Sequence, residues 1–240
     1  MPTLSIVIPA YNEEAFIGTL IEKILAVPTE SLDFQKELVV VNDGSKDRTE
    51  EVARAFASVR VFTQVPNQGK GAAVQRGIRE ATGDYILIQD ADLEYDPADY
   101  LTLLRALNRG DVVYGSRTLG QRRLQPRWTL FPGRHPRQSL GPWVAGVTLT
   151  LWTFLMYGRW ITDTLTAYKL YPARPVKEMK LKTRGFETDH EITAKLVRSG
   201  HKIVEVPIAY LPRSKEEGKK IKATDGLIAV WTLLRFRFAR

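Results

Sequence analysis

No cysteine occurs in the 240 residues, which excludes disulfide bridges, thiolate nucleophiles and thiolate metal sites, and leaves nothing that points to an oxidising compartment. Histidine is scarce, with three widely separated residues, so no cluster supports a catalytic or metal-binding reading of His190. No segment is low in complexity or rich in Pro and Ser, and no solenoid period recurs. Residues 1–14, MPTLSIVIPAYNEE, lack a basic leader region, and their apolar part is only a strand long. They read as a first β-strand and not as a signal peptide. Helix-turn-helix, zinc-finger and RNP patterns are missing, so no nucleic-acid partner is expected.

What is present has the balance of an ordinary globular chain, 44% hydrophobic and 26% charged, enough for a sizeable core. One main domain with a short appendage is expected. The formal charge is +8, and most of the excess follows residue 115. Arg117, Arg122, Arg123, Arg127, Arg134 and Arg137 form one group, Lys177 to Arg184 a second, and Arg213 to Lys222 a third. About half of such side chains serve as solvated surface; the remainder suit a phosphate-rich substrate or an anionic membrane surface.

Apolar spacing alternates between strand and helix along the first 115 residues. Phe16, Ile17, Leu20, Ile21, Ile24 and Leu25 make one helical stripe. A polar segment, Ser45 to Thr49, opens a second helix, and further helices are expected over 71–81 and 99–108. Strands are expected at 5–9, 37–41, 59–65, 85–89 and 111–115. The alternation predicts an α/β fold, a Rossmann-like, mainly parallel sheet with helices on both faces. Residues 138–158 carry no charge, yet Gly141, Pro142, Gly146, Thr148, Thr150 and Thr153 dilute the stretch. A buried or membrane-bedded helix is expected there, without a transmembrane span. Residues 226–240 mix eight large apolar residues with Arg235, Arg237 and Arg240, a basic amphipathic tail suited either to an anionic surface or to packing on the core.

Three apolar strands end in acid-bearing loops: Ser5 to Pro9 before Ala10-Tyr11-Asn12-Glu13-Glu14, Glu37 to Val41 before Asn42-Asp43-Gly44, and Tyr85 to Ile88 before Asp90-Ala91-Asp92. Open α/β sheets build ligand sites at such carboxyl ends. A lone D-x-D pair is a weak sign of a metal, and the three loops together strengthen it. Further segments are Asn67 to Ala73, Gly115-Ser116-Arg117, Asp163 to Lys169, Gly185 to Glu191, and Glu205 through Arg213 to Lys220. With this order and spacing the chain resembles the family 2 glycosyltransferases of GT-A fold, and within them the dolichyl- and polyprenyl-phosphate hexose synthases.

The resemblance implies a GT-A domain over 1–223, with a nucleotide-sugar half to about residue 115 and an acceptor half over 116–223, and an amphipathic helix over 224–240. It implies that Pro9, Tyr11, Glu13, Val41 and Ala91 line the donor pocket, Glu13 accepting from ribose and Asp43 from the base. Lys70, Asp90, Glu191 and Lys219 belong to the same donor set. Gly69-Lys70-Gly71 lacks the Walker spacing and the following Ser/Thr, and reads as a tight turn carrying Lys70 to the nucleotide. Asp90, Asp92 and Glu94 are the expected ligands of Mg²⁺ or Mn²⁺; related enzymes commonly have Gln where Glu94 stands. Asp163 is expected to orient the sugar or an arginine, with Ala167 replacing a usual Gly. Asp92, Arg117, Asp163 and Arg213 form the expected catalytic set.

The expected reaction is an inverting transfer of a hexose from a nucleotide sugar of GDP-mannose or UDP-glucose type to a polyprenyl phosphate. Its place is the cytoplasmic face of a membrane, with the protein peripheral on it. A phosphate acceptor is already ionised and needs cations more than a base. The same fold acting on a soluble or glycan hydroxyl is the alternative, and a non-catalytic basic binding module an alternative of another class. A sugar-phosphate nucleotidylyltransferase is disfavoured because its Gly-rich N-terminal signature is missing.

Overall fold

The first strand has apolar residues on both of its faces, and the computed structural model, which describes residues 1–212 and 223–238, buries both. In β1 (Thr3–Ala10), Leu4, Ile6 and Ile8 face one apolar cluster and Val7 the other. This two-sided burial accounts for the near-continuous apolar runs. It also requires helices above and below the sheet. α1 (Ile17–Ala26) packs on one face through Ile17, Leu20, Ile21 and Ile24. Then follow β2 (Gln35–Asn42), α2 (Thr49–Arg54), β3 (Val59–Thr63) and α3 (Lys70–Glu80). Ala73, Val74 and Ile78 of α3 cover the opposite face. Helix and strand approach so closely there that a Cβ on Gly77 would lie 2.2 Å from Val7 Cγ1.

β4 (Tyr85–Ile88), α4 (Tyr100–Arg105) and β5 (Val112–Ser116) follow, then α5 (Arg117–Leu124) and the long α6 (Leu140–Tyr157). β6 (Lys169–Pro172), α7 (Ala173–Glu178), α8 (Thr188–Arg198), β7 (Ile203–Pro207) and α9 (Ala223–Phe238) complete the described elements. The seven-stranded sheet has the order β3-β2-β1-β4-β6-β5-β7. β6 runs antiparallel to both β4 and β5, while the other pairings are parallel. The parallel strands therefore end at one edge, and β6 starts from it.

α6 and α9 pack against each other and α8 through Leu149, Ala194, Ala229, Leu233 and Phe236. Side chains bond to α9 carbonyls from both neighbours: Trp152 Nε1 to Val230 O at 3.1 Å, Tyr157 Oη to Leu233 O at 2.6 Å, and Arg198 Nη1 to Phe236 O at 2.7 Å. Only Leu149, Thr150 and Thr153 of α6 are buried. Among the described residues α6 is the one helix long and apolar enough to cross a membrane. Val144, Leu151, Phe154 and Leu155 of α6 and Leu227, Ile228, Trp231 and Phe238 of α9 are exposed. The terminal helix thus both packs on the core and presents an apolar outer side.

Candidate active site

Strand order reverses direction at β1, with β2 on one side and β4 on the other, and a crevice at such a switch is where open α/β sheets bind ligands. Asp90 and Asp92 follow β4 at this edge. Gln89 fixes the backbone there: its Nε2 donates to Asp90 O at 2.8 Å, and its Oε1 accepts from the hydroxyls of Tyr100 and Tyr168, each at 2.7 Å. Lys70, first residue of α3, places Nζ 2.5 Å from Asp90 Oδ1. Gly69 precedes it at φ +97°, a conformation that favours glycine. A Cβ on Gly71 would lie 2.6 Å from Gly185 O, so the start of α3 lies directly against the loop before α8.

That loop leads to Asp189, whose Oδ1 is 3.2 Å from the fully buried ammonium of Lys169 at the start of β6. Lys169 also donates to Thr166 O at 2.6 Å. Burial would push the Asp189 carboxyl up, but Lys169 and Lys70 outweigh it and hold it below its ordinary value. Burial likewise opposes the charge on Lys70, and Asp90, Asp189 and Asp92 reverse that to raise its pKa. Carboxylates and ammonium groups are thus interleaved at the crevice.

Arg117 follows β5, and its guanidinium grips Asp163 twice, Nε to Oδ2 at 2.7 Å and Nη2 to Oδ1 at 2.8 Å. Glu205 in β7 braces this pair by accepting from Thr162 N at 2.8 Å and Asp163 N at 3.1 Å. The guanidinium lies 4.9 Å from the Tyr210 ring centroid and 6.0 Å from that of Tyr95. Burial opposes its charge, and the Asp163 carboxylate more than compensates. Of the two expectations for Asp163, the arginine is the partner seen.

The donor-side residues divide. Pro9, Glu13 and Asp43 are buried at the β1 and β2 ends, Tyr11 is half-buried beside them, and Val41 and Ala91 are packed in the core. Asp43 ties the end of β2 to the loop between β3 and α3, accepting from Gln64 Nε2 at 2.6 Å, Gln68 N at 2.8 Å and Gly69 N at 2.9 Å. Glu191 is not brought to the crevice. It is fully buried, and it accepts from Lys182 N, Thr183 N, Thr183 Oγ1 and Lys195 Nζ. Arg213 and Lys219 lie outside the described residues.

At Glu94, the third expected metal ligand, one oxygen is taken by another segment. Its Oε2 accepts from Tyr210 Oη at 2.7 Å, and an antiparallel bridge between Tyr95 and Tyr210 holds that segment beside it. Among the described residues no three acidic or histidine side chains converge on one point. Asp90 and Asp92 remain as a pair of hard oxygen donors. Such a pair fits Mg²⁺ or Mn²⁺, which take one or two carboxylates and complete their shell with substrate phosphates.

Lys169, Asp189, Glu205 and Tyr210 were not picked out by sequence reasoning as site residues. All four fall inside the segments that carry the resemblance, and Lys169 also stands out as a lysine opening an otherwise apolar strand, Lys169-Leu-Tyr-Pro.

The family model for glycosyl transferase family 2 matches residues 5–156. The chain is 31% identical to dolichyl-phosphate beta-glucosyltransferase ALG5A of Trichomonas vaginalis, covering 95% of this chain and 71% of that protein. It is 30% identical to the dolichol-phosphate mannosyltransferase of Pyrococcus furiosus, covering 90% of this chain and spanning 58% of that protein's length. In fold it is similar to glucosyl-3-phosphoglycerate synthase of Mycobacterium tuberculosis, solved with Mn²⁺, UDP and phosphoglyceric acid. The TM-score is 0.70 at 21% identity, with 100% of this chain and 80% of that chain covered.

Proposed function

This chain belongs to glycosyl transferase family 2 and is a glycosyltransferase, and we propose that it moves a hexose, with inversion, from a nucleotide sugar to a polyprenyl phosphate at the cytoplasmic face of a membrane. The observation that carries this reading is the crevice beyond β1 and β4, where Asp90 and Asp92 adjoin Lys70, Lys169 and the Asp163-held Arg117. Two relatives named for transfer to dolichyl or dolichol phosphate support the acceptor class.

The donor diphosphate lies across the crevice, with Lys70 as a cationic contact and the nucleoside toward Pro9, Tyr11, Glu13 and Asp43. Each Asp43 oxygen takes backbone or side-chain donors from the loop between β3 and α3, so Asp43 shapes the pocket floor as well as facing a base. Asp90 and Asp92 would hold a divalent cation, which when bound would neutralise charge developing on the leaving diphosphate. Arg117 spends Nε and one Nη2 hydrogen on Asp163, and a guanidinium carries five N–H donors. The rest suit a phosphate oxygen held in a fixed plane. An acceptor phosphate arrives ionised, so no residue has to act as general base.

Membrane contact is supported by Trp128 and Leu130, 86% and 81% exposed, in the Arg-rich segment before α6, and by the outer sides of α6 and α9. Apolar side chains among arginines are the composition of an interfacial surface.

The test is transfer of label from UDP-glucose, UDP-GlcNAc and GDP-mannose, with Mn²⁺, into organic-extractable polyprenyl phosphate. Label from one donor in the lipid phase is the expected result. Metal-dependent donor hydrolysis without lipid label would replace the lipid acceptor by a hydroxyl one. Asp92→Ala is expected to abolish transfer, and near-normal activity in that variant removes the metal role.

A further inference from the structure

Glu205 is the one ionisable residue of β7, Ile203-Val-Glu-Val-Pro207, and it stands beside Tyr114 of β5 in the sheet register. Both of its oxygens are engaged by the 162–163 turn. Oε2 accepts from Thr162 N at 2.8 Å, and Oε1 accepts from Thr162 Oγ1 at 2.9 Å and Asp163 N at 3.1 Å. Successive backbone N–H groups closing on one anion form a nest, filled here by the chain's own carboxylate. Burial, with the nearby Asp163 charge, pushes the Glu205 carboxyl up in spite of these donors. Stability from the group is full below 4.5 and is lost as pH rises through the raised value, so at neutral pH the charge weakens the fold instead of strengthening it.

The hydroxyl chain that starts there has one direction. An ionised carboxylate only accepts, so Thr162 Oγ1 donates to Glu205 and must accept from Ser116 Oγ, 2.7 Å away. Ser116 Oγ in turn accepts from Leu119 N at 3.1 Å as the N-cap of α5. Asp163, seated by the same nest, accepts from Arg117 N at 3.0 Å as well as from Nε and Nη2 of the guanidinium. The residue before Arg117, its backbone nitrogen and one edge of its guanidinium are thus all referred to Glu205. A guanidinium is planar and rigid, so fixing the Nε/Nη2 edge also fixes where the opposite Nη1/Nη2 edge points.

We infer that Glu205 is a positioning residue for transfer: by holding Asp163 and the Ser116 and Thr162 hydroxyls, it aims the opposite edge of the Arg117 guanidinium at the acceptor phosphate. The inference rests on the phosphate role proposed above for Arg117. Glutamine at 205 fills the same space but supplies one acceptor oxygen and an NH₂ in place of the second. That NH₂ meets either Thr162 N–H or Asp163 N–H, donor against donor. In both orientations the turn that seats Asp163 loses a bond.

The experiment measures KM and kcat for transfer to polyprenyl phosphate, with whichever of UDP-glucose, UDP-GlcNAc and GDP-mannose labels the lipid. It compares wild type with Glu205→Gln, Thr162→Val and Thr162→Ser, each shown to be folded by thermal melting. Glu205→Gln is expected to raise the KM for polyprenyl phosphate about tenfold or more while the donor KM stays within about twofold, the pattern of a lost acceptor contact. Thr162→Val removes the hydroxyl and keeps the shape, and is expected to move the acceptor KM the same way. Thr162→Ser keeps the hydroxyl and is expected to restore most of the affinity. If Glu205→Gln does not fold, the valine and serine variants carry the same comparison. An unchanged acceptor KM in the folded variants, or a loss shared equally between donor and acceptor, overturns the positioning role and leaves lipid-phosphate transfer standing. A wild type that labels no lipid from any donor overturns the acceptor reading and the aim at its phosphate with it.

Discussion

Tyr210 donates its hydroxyl to Glu94 Oε2 over 2.7 Å, joining two segments 116 residues apart. Leu211 N adds a bond to Glu94 O at 2.8 Å, and Ala209 N donates to Asp99 Oδ2 at 2.7 Å. The loop that carries Asp90 and Asp92 is thereby stitched to the segment leading into 213–222.

Tyr210→Phe removes one hydrogen bond and leaves the ring in place beside Tyr95 and Arg117. A loss of about 1–2 kcal/mol in stability is expected, since a hydrogen bond to a charged acceptor contributes on that order. Urea unfolding measures it, and an unchanged midpoint would remove the stitch as a stabilising element.

Arg117 and Asp163 separate packing from chemistry. Asp163→Ala leaves a mostly buried guanidinium unpaired, and a destabilisation of about 3 kcal/mol or more is expected. The double change Arg117→Met with Asp163→Leu should recover much of that stability, because an apolar pair of similar volume often replaces a buried ion pair without loss. Transfer activity should stay absent in the double variant. Recovered turnover would limit the pair to a packing role.

Two buried groups contribute to acid stability with opposite sign. Burial, assisted by Lys169, lowers the His190 pKa to about 4. Between its ordinary value of 6.5 and 4 the unfolded chain binds a proton that the folded one refuses, so stability falls as pH drops through that window, by roughly 3 kcal/mol. Asp99 runs the other way. Burial raises it to about 6, so its contribution is full below 3.8 and is lost as pH rises through 6. His190→Phe should flatten the fall in melting temperature between pH 6.5 and 4. Asp99→Asn, which keeps an acceptor for Ala209 N, should raise the melting temperature above pH 6 and leave it unchanged near pH 3.5.

The outer sides of α6 and α9 are tested with Phe154→Glu and Trp231→Glu, residues 46% and 61% exposed. Both variants should fold normally by circular dichroism and lose flotation with vesicles containing anionic lipid. Flotation equal to wild type would remove these faces from membrane contact.

Much of the sheet was legible because buried parallel strands advertise themselves as apolar runs, as at Ser5 to Pro9 and Glu37 to Val41. β6 was not. Four residues with a lysine at one end and a proline at the other carry no usable period, and the antiparallel insertion between β4 and β5 depends on pairings about 85 residues distant, such as Leu87 with Leu170. Asp90 and Asp92 were legible from their position after a strand. The division of labour between Asp189 and Glu191 was not. Residues two apart on a helix point to different sides, so when Asp189 faces Lys169, Glu191 must face elsewhere, here Lys195 and the 182–183 loop. The bond from Tyr210 to Glu94 is likewise invisible to local spacing.

The position of β6 also has a consequence during synthesis. Among the described residues β5 pairs only with β6 and β7 in the sheet, and all five of its residues end up buried. A nascent chain that has emerged no further than residue 168 has β5 without a neighbour on either side and β4 with one edge open. Exposed apolar strands in that state are natural chaperone clients and aggregation seeds. The sheet is complete only once Lys169–Pro172 lies between them and Ile203–Pro207 covers the far side of β5.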